Sequence, residues 1–390
     1  MAADRAAKLA GDLACYNIAD LRERARRRLP KGIWEYLERG VEDETGMARN
    51  RASFDAITFR PRILRNVEKV DPDTSIFGRE TPLPMALAPT GAAGLLWYRG
   101  DLALARAAAK AGLPFTISSA STMDLEDIAK AGGRLWFQLY MWEDRSLSHA
   151  VVDRAWAAGC EALFVTLDMA VPPNREYIHR SGFGTPFRLN ARNTLDVLAH
   201  PRWLAGTMGR YALDGGVPSQ ANLPDRLRSR ITKGAPPGAL FKQDNLDWDG
   251  IAELRSRWPG KLVLKGMLHP ADAERALAIG ADGIVVSNHG ARALDSSVAA
   301  IDALPDIVSA VGGKMTIFLD SGIRRGSDIV KAVERGADAV LVGRAPLYGL
   351  SAAGEAGVLR ALDLLGSETR RSMALLGARN IDELRTLDLM

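Results

Sequence analysis

A histidine and an arginine, three residues apart, follow an apolar run and could act together on an acid. Residues 284–286 are Ile-Val-Val, and the polar segment after them contains His289 and Arg292. An imidazole accepts a proton near neutral pH, and a guanidinium group binds a carboxylate through two parallel hydrogen bonds. This pairing predicts chemistry on a carboxylic acid. Taken alone, the spacing also fits a strand-capping histidine and a surface arginine.

The composition is typical of a globular protein. The 390 residues suffice for two average domains or for one α/β barrel with insertions. The net charge of +4 is too diffuse to indicate a nucleic-acid partner, but it suits an anionic ligand or membrane surface. Cys15 and Cys160 are expected to be free thiols in a reducing compartment. The N-terminus lacks the apolar core of a signal peptide, so a cytoplasmic location is expected. No metal site is predicted.

From residue 83 onward, short apolar runs alternate with amphipathic helical patterns. Residues 279–286 and 335–342 are near copies of one another, which indicates repeated αβ units. Eight parallel strands with crossover helices form an α/β (β/α)8 TIM barrel, and a doubly wound sheet is the alternative, for which eight strands would be less natural. The predicted strands are residues 85–89, 115–118, 135–140, 163–168, 262–265, 284–287, 316–320 and 340–343.

We expect residues 1–390 to form a single domain. Residues 1–82 are predicted to be an N-terminal helical cap, 83–365 the barrel, and 366–390 a C-terminal helix. Within the cap, one helix is expected to begin at Asp20 and the next at Pro30.

A long insertion separates the fourth predicted strand from the fifth. Its central part, residues 177–241, contains nine Lys or Arg against three Asp, a local excess of six positive charges. A connection of this length is far outside the usual range for a barrel. It could be a mobile lid, or it could contact a membrane or partner, because Trp203 and Leu204 lie among its cations. The cations are Arg180, Arg188, Arg192, Arg202, Arg210, Arg226, Arg228, Arg230 and Lys233.

Polar residues stand at the carboxyl ends of all eight predicted strands, where the active sites of barrels lie. Glycines and arginines after the last two strands predict a phosphate site, because backbone N–H groups and guanidinium groups both bind anions. Arg175 and Arg292 form a second cationic set, so two anionic ligands are expected. The phosphate-site residues are Gly322, Arg324, Gly343 and Arg344.

Two segments resemble the signatures of the FMN-dependent 2-hydroxy acid dehydrogenases and oxidases. They are residues 287–295, Ser-Asn-His-Gly-Ala-Arg-Ala-Leu-Asp, and residues 320–326, Asp-Ser-Gly-Ile-Arg-Arg-Gly. The resemblance extends from Leu29 to about Arg379. L-lactate dehydrogenases and glycolate oxidases are similar, and residues 88–97 look most like those of (S)-mandelate dehydrogenases.

The resemblance implies roles for individual residues. His289 would be the general base, Asp168 would stabilise its imidazolium, and Lys265 would stabilise the reduced flavin. Substrate would be bound by Tyr36, Tyr140, Arg175 and Arg292, although the local pattern alone assigns Tyr36 to the core. FMN would be bound by Pro89, Thr90, Gly91, Ser118, Gln138, Thr166, Lys265, Ser287, Asp320, Ser321, Gly322, Arg324, Gly343 and Arg344.

The family pattern also bears on substrate and partners. Gly91 stands where many of the oxidases carry Ala, and Ala120 stands where glycolate oxidases carry Trp. Because Ala120 lacks the indole ring of that tryptophan, it leaves space that predicts a bulky, mandelate-like substrate. Lactate is expected if other residues fill the space. Kinship implies a homotetramer and an external quinone or cytochrome as electron acceptor, with oxygen as the alternative. The insertion is expected to contact the inner face of the cell membrane. A flavin-barrel isomerase and a non-catalytic flavin-binding protein are the competing hypotheses.

Overall fold

A computed structural model of the chain describes residues 14–184, 190–223, 228 and 243–387. Eight parallel strands close into a barrel in the order β10-β3-β4-β5-β6-β7-β8-β9, which confirms the predicted (β/α)8 TIM barrel. The ten strands, of which the first two form a separate hairpin, are β1 Thr74–Ile76, β2 Arg79–Thr81, β3 Met85–Leu87, β4 Phe115–Ser118, β5 Leu135–Leu139, β6 Ala162–Thr166, β7 Lys261–Met267, β8 Gly283–Val286, β9 Thr316–Leu319 and β10 Ala339–Val342.

The barrel strands are apolar along most of their length because both of their faces are covered. Their inward side chains form one core, in which Trp136, Phe164 and Phe318 pack with ring centroids 5.0–5.8 Å apart. Their outward side chains pack against the surrounding helices in a second, larger core. The interior is therefore filled by side chains at the amino end of the strands, and a large cavity lies toward their carboxyl ends.

Helices precede the barrel and alternate with its strands. The described helices are α1 Ile18–Arg28, α2 Lys31–Glu38, α3 Thr45–Ala56, α4 Ala93–Leu96, α5 Gly100–Lys110, α6 Leu125–Ala129, α7 Arg145–Ala157, α8 Glu176–Ser181, α9 Ala191–Leu198, α10 Pro201–Trp203, α11 Arg210–Leu213, α12 Trp248–Arg257, α13 Pro270–Ala278, α14 Ala300–Val311, α15 Gly326–Glu334, α16 Arg344–Leu376 and α17 Ile381–Leu384.

The sequence predicted a helical cap over residues 1–82, but the described part of this segment is only partly helical. Helix α3 ends at Ala56, and residues 74–81 instead form an antiparallel hairpin. Its two turn residues, Phe77 and Gly78, have φ angles of 53° and 74°, as a tight hairpin turn requires. The ring of Phe77 packs 5.8 Å from Trp136, so the hairpin closes the amino end of the barrel. Residues 1–13 lie outside the described part of the chain.

The C-terminal boundary predicted at residues 365 and 366 falls inside a helix. Helix α16 runs on to Leu376, and its interruption lies earlier, at Ala353 and Gly354. Gly377, with φ of 78°, ends the helix in the left-handed conformation that glycine favours. The predicted helix over 366–390 is therefore the end of α16 followed by the short α17, and residues 388–390 are outside the described range.

The insertion is partly helical and packs against the barrel. Beyond α10, a π-helical turn, Leu204–Gly209, leads into α11. The buried indole of Trp203 donates from Nε1 to the carbonyl of Leu95 at 2.7 Å. Arg28 donates to Thr207 Oγ1 at 3.0 Å, which ties the insertion to the first helix. The predicted cations outside the described residues are Arg188, Arg226, Arg230 and Lys233.

Candidate active site

The strand ends that sequence analysis singled out meet around one large cavity. Its volume is about 1210 Å³, and it lies at the carboxyl end of the barrel. Two of the predicted residues do not line the cavity themselves. Asp168 contacts the lining residue His289, and Ser287 contacts the lining residue Lys265. The predicted residues that line the cavity are Tyr36, Pro89, Thr90, Gly91, Ser118, Gln138, Tyr140, Thr166, Arg175, Lys265, His289, Arg292, Asp320, Ser321, Gly322, Arg324, Gly343 and Arg344.

His289 is held between an acid and a phenol. Its Nδ1 lies 2.8 Å from Asp168 Oδ1, and its Nε2 lies 3.3 Å from the Tyr140 hydroxyl. A carboxylate only accepts hydrogen bonds, so Nδ1 carries the proton of the neutral ring and Nε2 presents a lone pair. The imidazole therefore faces the cavity with the nitrogen that can accept a proton.

Asp168 is buried, and burial alone would raise the pKa of its carboxyl group. The neighbouring His289, through its charge and its hydrogen bond, together with Lys265, outweighs burial and holds the pKa of Asp168 below its usual range. Its second oxygen, Oδ2, is buried without a hydrogen-bond partner. Asp168 therefore remains an ionised carboxylate that accepts the hydrogen bond from His289 Nδ1.

Lys265, two residues before the end of β7, is almost completely buried. Its Nζ donates to Ser287 Oγ and to Asp320 Oδ2, both at 2.8 Å. Burial would lower the pKa of this ammonium, but the carboxylates of Asp320 and Asp168 raise it overall. The group therefore stays positively charged inside the cavity, where a fixed cation stabilises negative charge on a ligand.

Two arginines, Arg175 and Arg292, form another part of the cavity wall together with Tyr36. Arg292 donates from Nη1 to the carbonyls of Tyr36 and Arg39, at 2.9 and 2.6 Å, and from Nη2 to the Tyr177 hydroxyl at 3.4 Å. Arg175 Nε is buried without a hydrogen-bond partner. Burial, and secondarily the charge of Arg292, lowers the pKa of Arg175. A bound carboxylate would satisfy the Arg175 donor and reduce the repulsion between the two cations.

Three polar side chains form a hydrogen-bonded row across the ends of adjacent strands. Ser118 Oγ donates to Gln138 Oε1 at 3.0 Å, and Gln138 Nε2 donates to Thr166 Oγ1 at 2.9 Å. All three are buried. Such a row of fixed donors and acceptors suits the edge of a flat heteroaromatic ring.

The predicted phosphate site is rich in positive charge. Burial lowers the pKa of Arg344 to about 10, and the neighbouring Arg292 and Arg324 contribute to that lowering. Arg344 donates to the carbonyls of Gly290 and Leu37, at 3.0 and 3.1 Å. An anion of phosphate type would relieve the repulsion among the three guanidinium groups. The charge, the polar row and the cavity size all fit FMN.

The outer wall of the cavity is mainly apolar, and much of it comes from the insertion. Sequence analysis did not assign these residues to the site, and the Trp-Leu pair at 203–204 was the only signal of them. Tyr177 and Arg39 were also not predicted to contact Arg292. Among the apolar lining residues supplied by the chain between β6 and β7 are Met169, Val171, Ile178, Phe183, Val197, Leu198, Trp203, Leu204, Met208 and Val217.

Comparison with known proteins decides the family. A model of the FMN-dependent dehydrogenases matches residues 25–389. The chain belongs to the FMN-dependent dehydrogenase family. This family depends on FMN, in agreement with the predicted cofactor. The resemblance that was drawn from residues 287–295 and 320–326 is thereby confirmed for the family.

Two relatives in this FMN-dependent dehydrogenase family are similar over nearly their whole length. An L-lactate dehydrogenase of Bartonella quintana is 41% identical over 370 residues, covering 94% of this chain and 95% of the relative. An (S)-mandelate dehydrogenase of Pseudomonas putida is 40% identical over 370 residues, covering 95% and 92%. The crystal structure of the monotopic membrane protein (S)-mandelate dehydrogenase superposes with a TM-score of 0.90 at 39% identity, covering 97% of this chain and 99% of that one.

None of the helices in the described ranges combines the length and the hydrophobicity that crossing a membrane requires. Within those same ranges, His, Cys, Asp and Glu side chains do not gather into any group of three or more that could hold a metal ion.

Proposed function

We propose that this FMN-dependent dehydrogenase oxidises an (S)-2-hydroxy acid to the 2-oxo acid. The observation that carries the proposal is the arrangement of His289, whose Nδ1 is held by Asp168 while Nε2 faces a cavity that Arg175 and Arg292 also line. A base and a carboxylate-binding pair around one space are what an acid with a neighbouring hydroxyl group requires.

Each protein group has a defined task in this proposal. Arg175 and Arg292 bind the substrate carboxylate, and the Tyr140 hydroxyl donates a hydrogen bond to the substrate. Burial raises the pKa of Tyr140, so the phenol remains protonated and able to donate. His289 Nε2 takes a proton from the substrate, and the Asp168 carboxylate stabilises the resulting imidazolium.

When bound, FMN would take up the two electrons and the second of the two hydrogens that a 2-hydroxy acid loses when it becomes the 2-oxo acid, the first being the proton taken by His289. The ring would lie against the row formed by Ser118, Gln138 and Thr166, and beside Pro89, Thr90 and Gly91. Lys265, braced by Ser287, would place its positive charge at the ring. Arg324 and Arg344, with the backbone of Gly322 and Gly343, would hold the phosphate group of FMN. Asp320 and Ser321 would contact the ribityl chain, whose hydroxyl groups can donate to a carboxylate.

Anaerobic mixing with candidate acids tests the reaction. The purified FMN-loaded enzyme should lose its flavin absorbance when (S)-mandelate or L-lactate is added, and the acid that bleaches it faster is the better substrate. Persistence of the oxidised spectrum with every 2-hydroxy acid would contradict the proposal. Repeating the experiment in air distinguishes an oxidase, which regains colour rapidly, from a dehydrogenase that needs an external quinone or cytochrome.

We propose a mandelate-like rather than a lactate-like substrate. A Cβ atom built at Gly91 would lie 3.0 Å from the Cβ of Ala120, so both small residues border the same space. The apolar outer wall, including Val171 and Phe183, would complete a pocket for an aromatic side chain. Substitution Ala120→Trp should abolish turnover of mandelate while retaining turnover of lactate. Equal loss of both activities would speak against this pocket.

We also propose that the insertion contacts the membrane surface peripherally. Leu195 and Leu198 are exposed on α9, and Arg192 stands beside them. Apolar and cationic groups on one short helix suit the interface of an anionic bilayer. The double substitution Leu195→Ser/Leu198→Ser should weaken binding to phosphatidylglycerol vesicles, and Leu375→Ser, an equally exposed leucine on α16, should not. Unchanged binding of the double variant would remove the idea.

The assembly proposed from the family resemblance is a homotetramer. Sedimentation velocity of the FMN-loaded enzyme at several concentrations measures the assembly directly. A monomer at all concentrations would contradict it.

A further inference from the structure

An acidic residue of the loop after β8 caps a helix that lies far away in the sequence. Asp295 Oδ2 accepts hydrogen bonds from the backbone N and the hydroxyl of Thr45, at 3.0 and 2.9 Å. Its Oδ1 accepts from Gly46 N at 2.8 Å. These contacts satisfy the free N–H groups at the start of helix α3. The loop that contains His289 is therefore fastened to the N-terminal segment.

Helix α3 and the same loop are joined a second time by a reciprocal pair of amides. Asn50 Nδ2 donates to Asn288 Oδ1 at 3.0 Å, and Asn288 Nδ2 donates to Asn50 Oδ1 at 2.8 Å. Both side chains are buried. Asn288 Oδ1 also accepts from the backbone N of Ala291 at 3.1 Å. Asn50 thus acts on the backbone that follows His289 by fixing the orientation of the Asn288 amide.

The backbone between these two fastenings has an unfavourable conformation. His289, Gly290 and Ala291 have φ angles of 58°, 65° and 58°, so three successive residues lie in the left-handed region. Residues with a Cβ atom persist there only when their surroundings hold them. The direction of the His289 imidazole depends on this conformation, because the side chain leaves the loop at its first strained residue.

Close approaches show that the N-terminal segment presses directly on the loop. A Cβ atom at Gly40 would lie 2.7 Å from the Ala291 carbonyl oxygen, and one at Gly46 would lie 2.6 Å from that of Asp295. Val41 N also donates to the Ala291 carbonyl at 3.2 Å. There is no room between the two segments for the loop to relax toward α3.

We propose that Asn50 and Asp295 are positioning residues that act through Asn288 and the left-handed segment 289–291 to aim the imidazole of His289 at the substrate. Neither side chain lines the cavity, so neither touches a ligand there. The inference rests on the proposed function, in which His289 is the general base.

The substitution Asn50→Leu tests the proposal, because leucine has a similar volume but no amide. A correctly placed base contributes about 10²- to 10⁴-fold in rate, so a displaced one should lower kcat by about 10- to 100-fold. FMN content should stay stoichiometric, and KM should change by less than about threefold, since the arginines are untouched. Ser53→Ala is the matched control, because Ser53 lies on the same helix and its hydroxyl donates to the exposed Asp302.

A double variant separates positioning from a general weakening of the fold. With His289→Ala already present, Asn50→Leu should change the residual turnover by less than about twofold, because its target is gone. The proposal is overturned if Asn50→Leu keeps wild-type kcat, or if the two losses multiply in the double variant, and the proposed function then still stands. Normal turnover of His289→Ala alone would overturn both together.

Asp295 provides a second route should Asn50→Leu fail to fold. Asparagine keeps one accepting oxygen but replaces the other with an amide nitrogen that only donates, so it preserves only part of the cap. Asp295→Asn should therefore lower kcat by less than Asp295→Ala does. Asp295→Ala, which loses the cap, should lower kcat by about 10- to 100-fold with FMN still bound, as a displaced base requires. Wild-type kcat in Asp295→Ala, or equal loss in Asp295→Asn, would contradict the positioning role.

Discussion

The two ends of the barrel are built from the same eight strands but treat their polar groups in opposite ways. At the amino end, Arg134 donates to Glu161, to Thr81 Oγ1 and to the Ile76 carbonyl, at distances of 2.8–2.9 Å. Trp136 Nε1 also donates to Glu161, at 2.8 Å. The charged groups there satisfy one another within the protein, although the hydroxyl of Thr116, which pairs with Trp136 in the sheet, is buried without a hydrogen-bond partner.

The carboxyl end leaves groups unsatisfied and keeps strained backbone. Arg175 Nε and Asp168 Oδ2 are buried without partners, and His289, Ala291 and Ser321 all have positive φ angles. Unpaired buried groups and left-handed residues with a Cβ atom both lower stability. The difference teaches that the amino end stabilises the fold, whereas the carboxyl end sacrifices stability to present donors, a base and a cavity to ligands.

The largest effect should come from removing the base at the carboxyl end. His289→Ala should lower kcat by about 10²- to 10⁴-fold, with FMN content and melting temperature near those of wild type, because the imidazole contributes to catalysis more than to packing. Steady-state kinetics and the flavin absorbance measure this. His149→Ala, which alters a histidine on the outer helix α7, is the control and should keep full activity. Wild-type turnover of His289→Ala would contradict the assignment of catalysis to the carboxyl end of the barrel.

A smaller loss of activity should follow when Arg292 is replaced by lysine, which keeps the positive charge but lacks the planar guanidinium group. Arg292→Lys cannot reproduce the two hydrogen bonds to the carbonyls of Tyr36 and Arg39 while also binding a carboxylate. A charge-assisted hydrogen bond contributes about 1.5–3 kcal/mol, so kcat/KM should fall by about 10- to 100-fold. Arg257→Lys, at an exposed ion pair with Asp153, should leave kcat/KM unchanged. A wild-type kcat/KM in Arg292→Lys would mean that the positive charge alone is sufficient to bind the substrate carboxylate.

At the amino end, the same kind of change should affect stability and not activity. Glu161→Gln weakens the bonds from Arg134 and Trp136, so the free energy of unfolding should fall by about 1–3 kcal/mol, with kcat unchanged. Denaturant titration of the FMN-loaded enzyme measures the loss. The matched variant Glu126→Gln breaks a more exposed pair with Arg154 and should cost less than about 1 kcal/mol. A large loss of activity in Glu161→Gln would contradict the division between the two ends.

The smallest effect is the pH dependence of that stability difference. Burial would raise the pKa of Glu161, but the hydrogen bond from Trp136 and the charge of Arg134 hold it below its usual range. Because the folded pKa lies below that of the unfolded chain, the contribution is complete above about pH 4.3 and is lost as pH falls through the folded pKa. The difference between wild type and Glu161→Gln should therefore shrink below about pH 4. Melting curves of both proteins at several pH values measure this stability difference. A difference that stays constant down to low pH would contradict the lowered pKa of Glu161.

Most of the barrel could be predicted because its signals are local. The run Ile284-Val285-Val286 is apolar and brief, and glycines end the helices before several strands, so the strand positions follow from periodicity and capping. The polar residues at the carboxyl ends of the strands could be predicted to form one site, because parallel strands in a barrel have their carboxyl ends on the same side. Residues 74–81 and the interruption at Gly354 were not predicted, since a tight turn and a helix break depend on what packs against them.

The contacts that complete the site had no local signal. Nothing near Asn50 in the sequence indicates that its amide pairs with Asn288, which lies 238 residues later. Tyr177 was recognised only as the start of a basic insertion, although its hydroxyl accepts from Arg292. The apolar wall of the cavity was equally unpredictable, because Trp203 and Leu204 look like membrane-facing residues until the insertion is seen packed on the barrel.

The sequence by itself determined the order of the αβ units and the chemical groups that each strand end carries, because hydrophobic period, glycine caps and residue identity are properties of short segments. Only the tertiary structure decided that His289 Nδ1 faces Asp168, 121 residues earlier, and that its Nε2 therefore faces the cavity. That orientation requires the closed barrel, the left-handed backbone at residues 289–291 and the N-terminal helix pressed against it. No short stretch of sequence specifies how such distant segments meet.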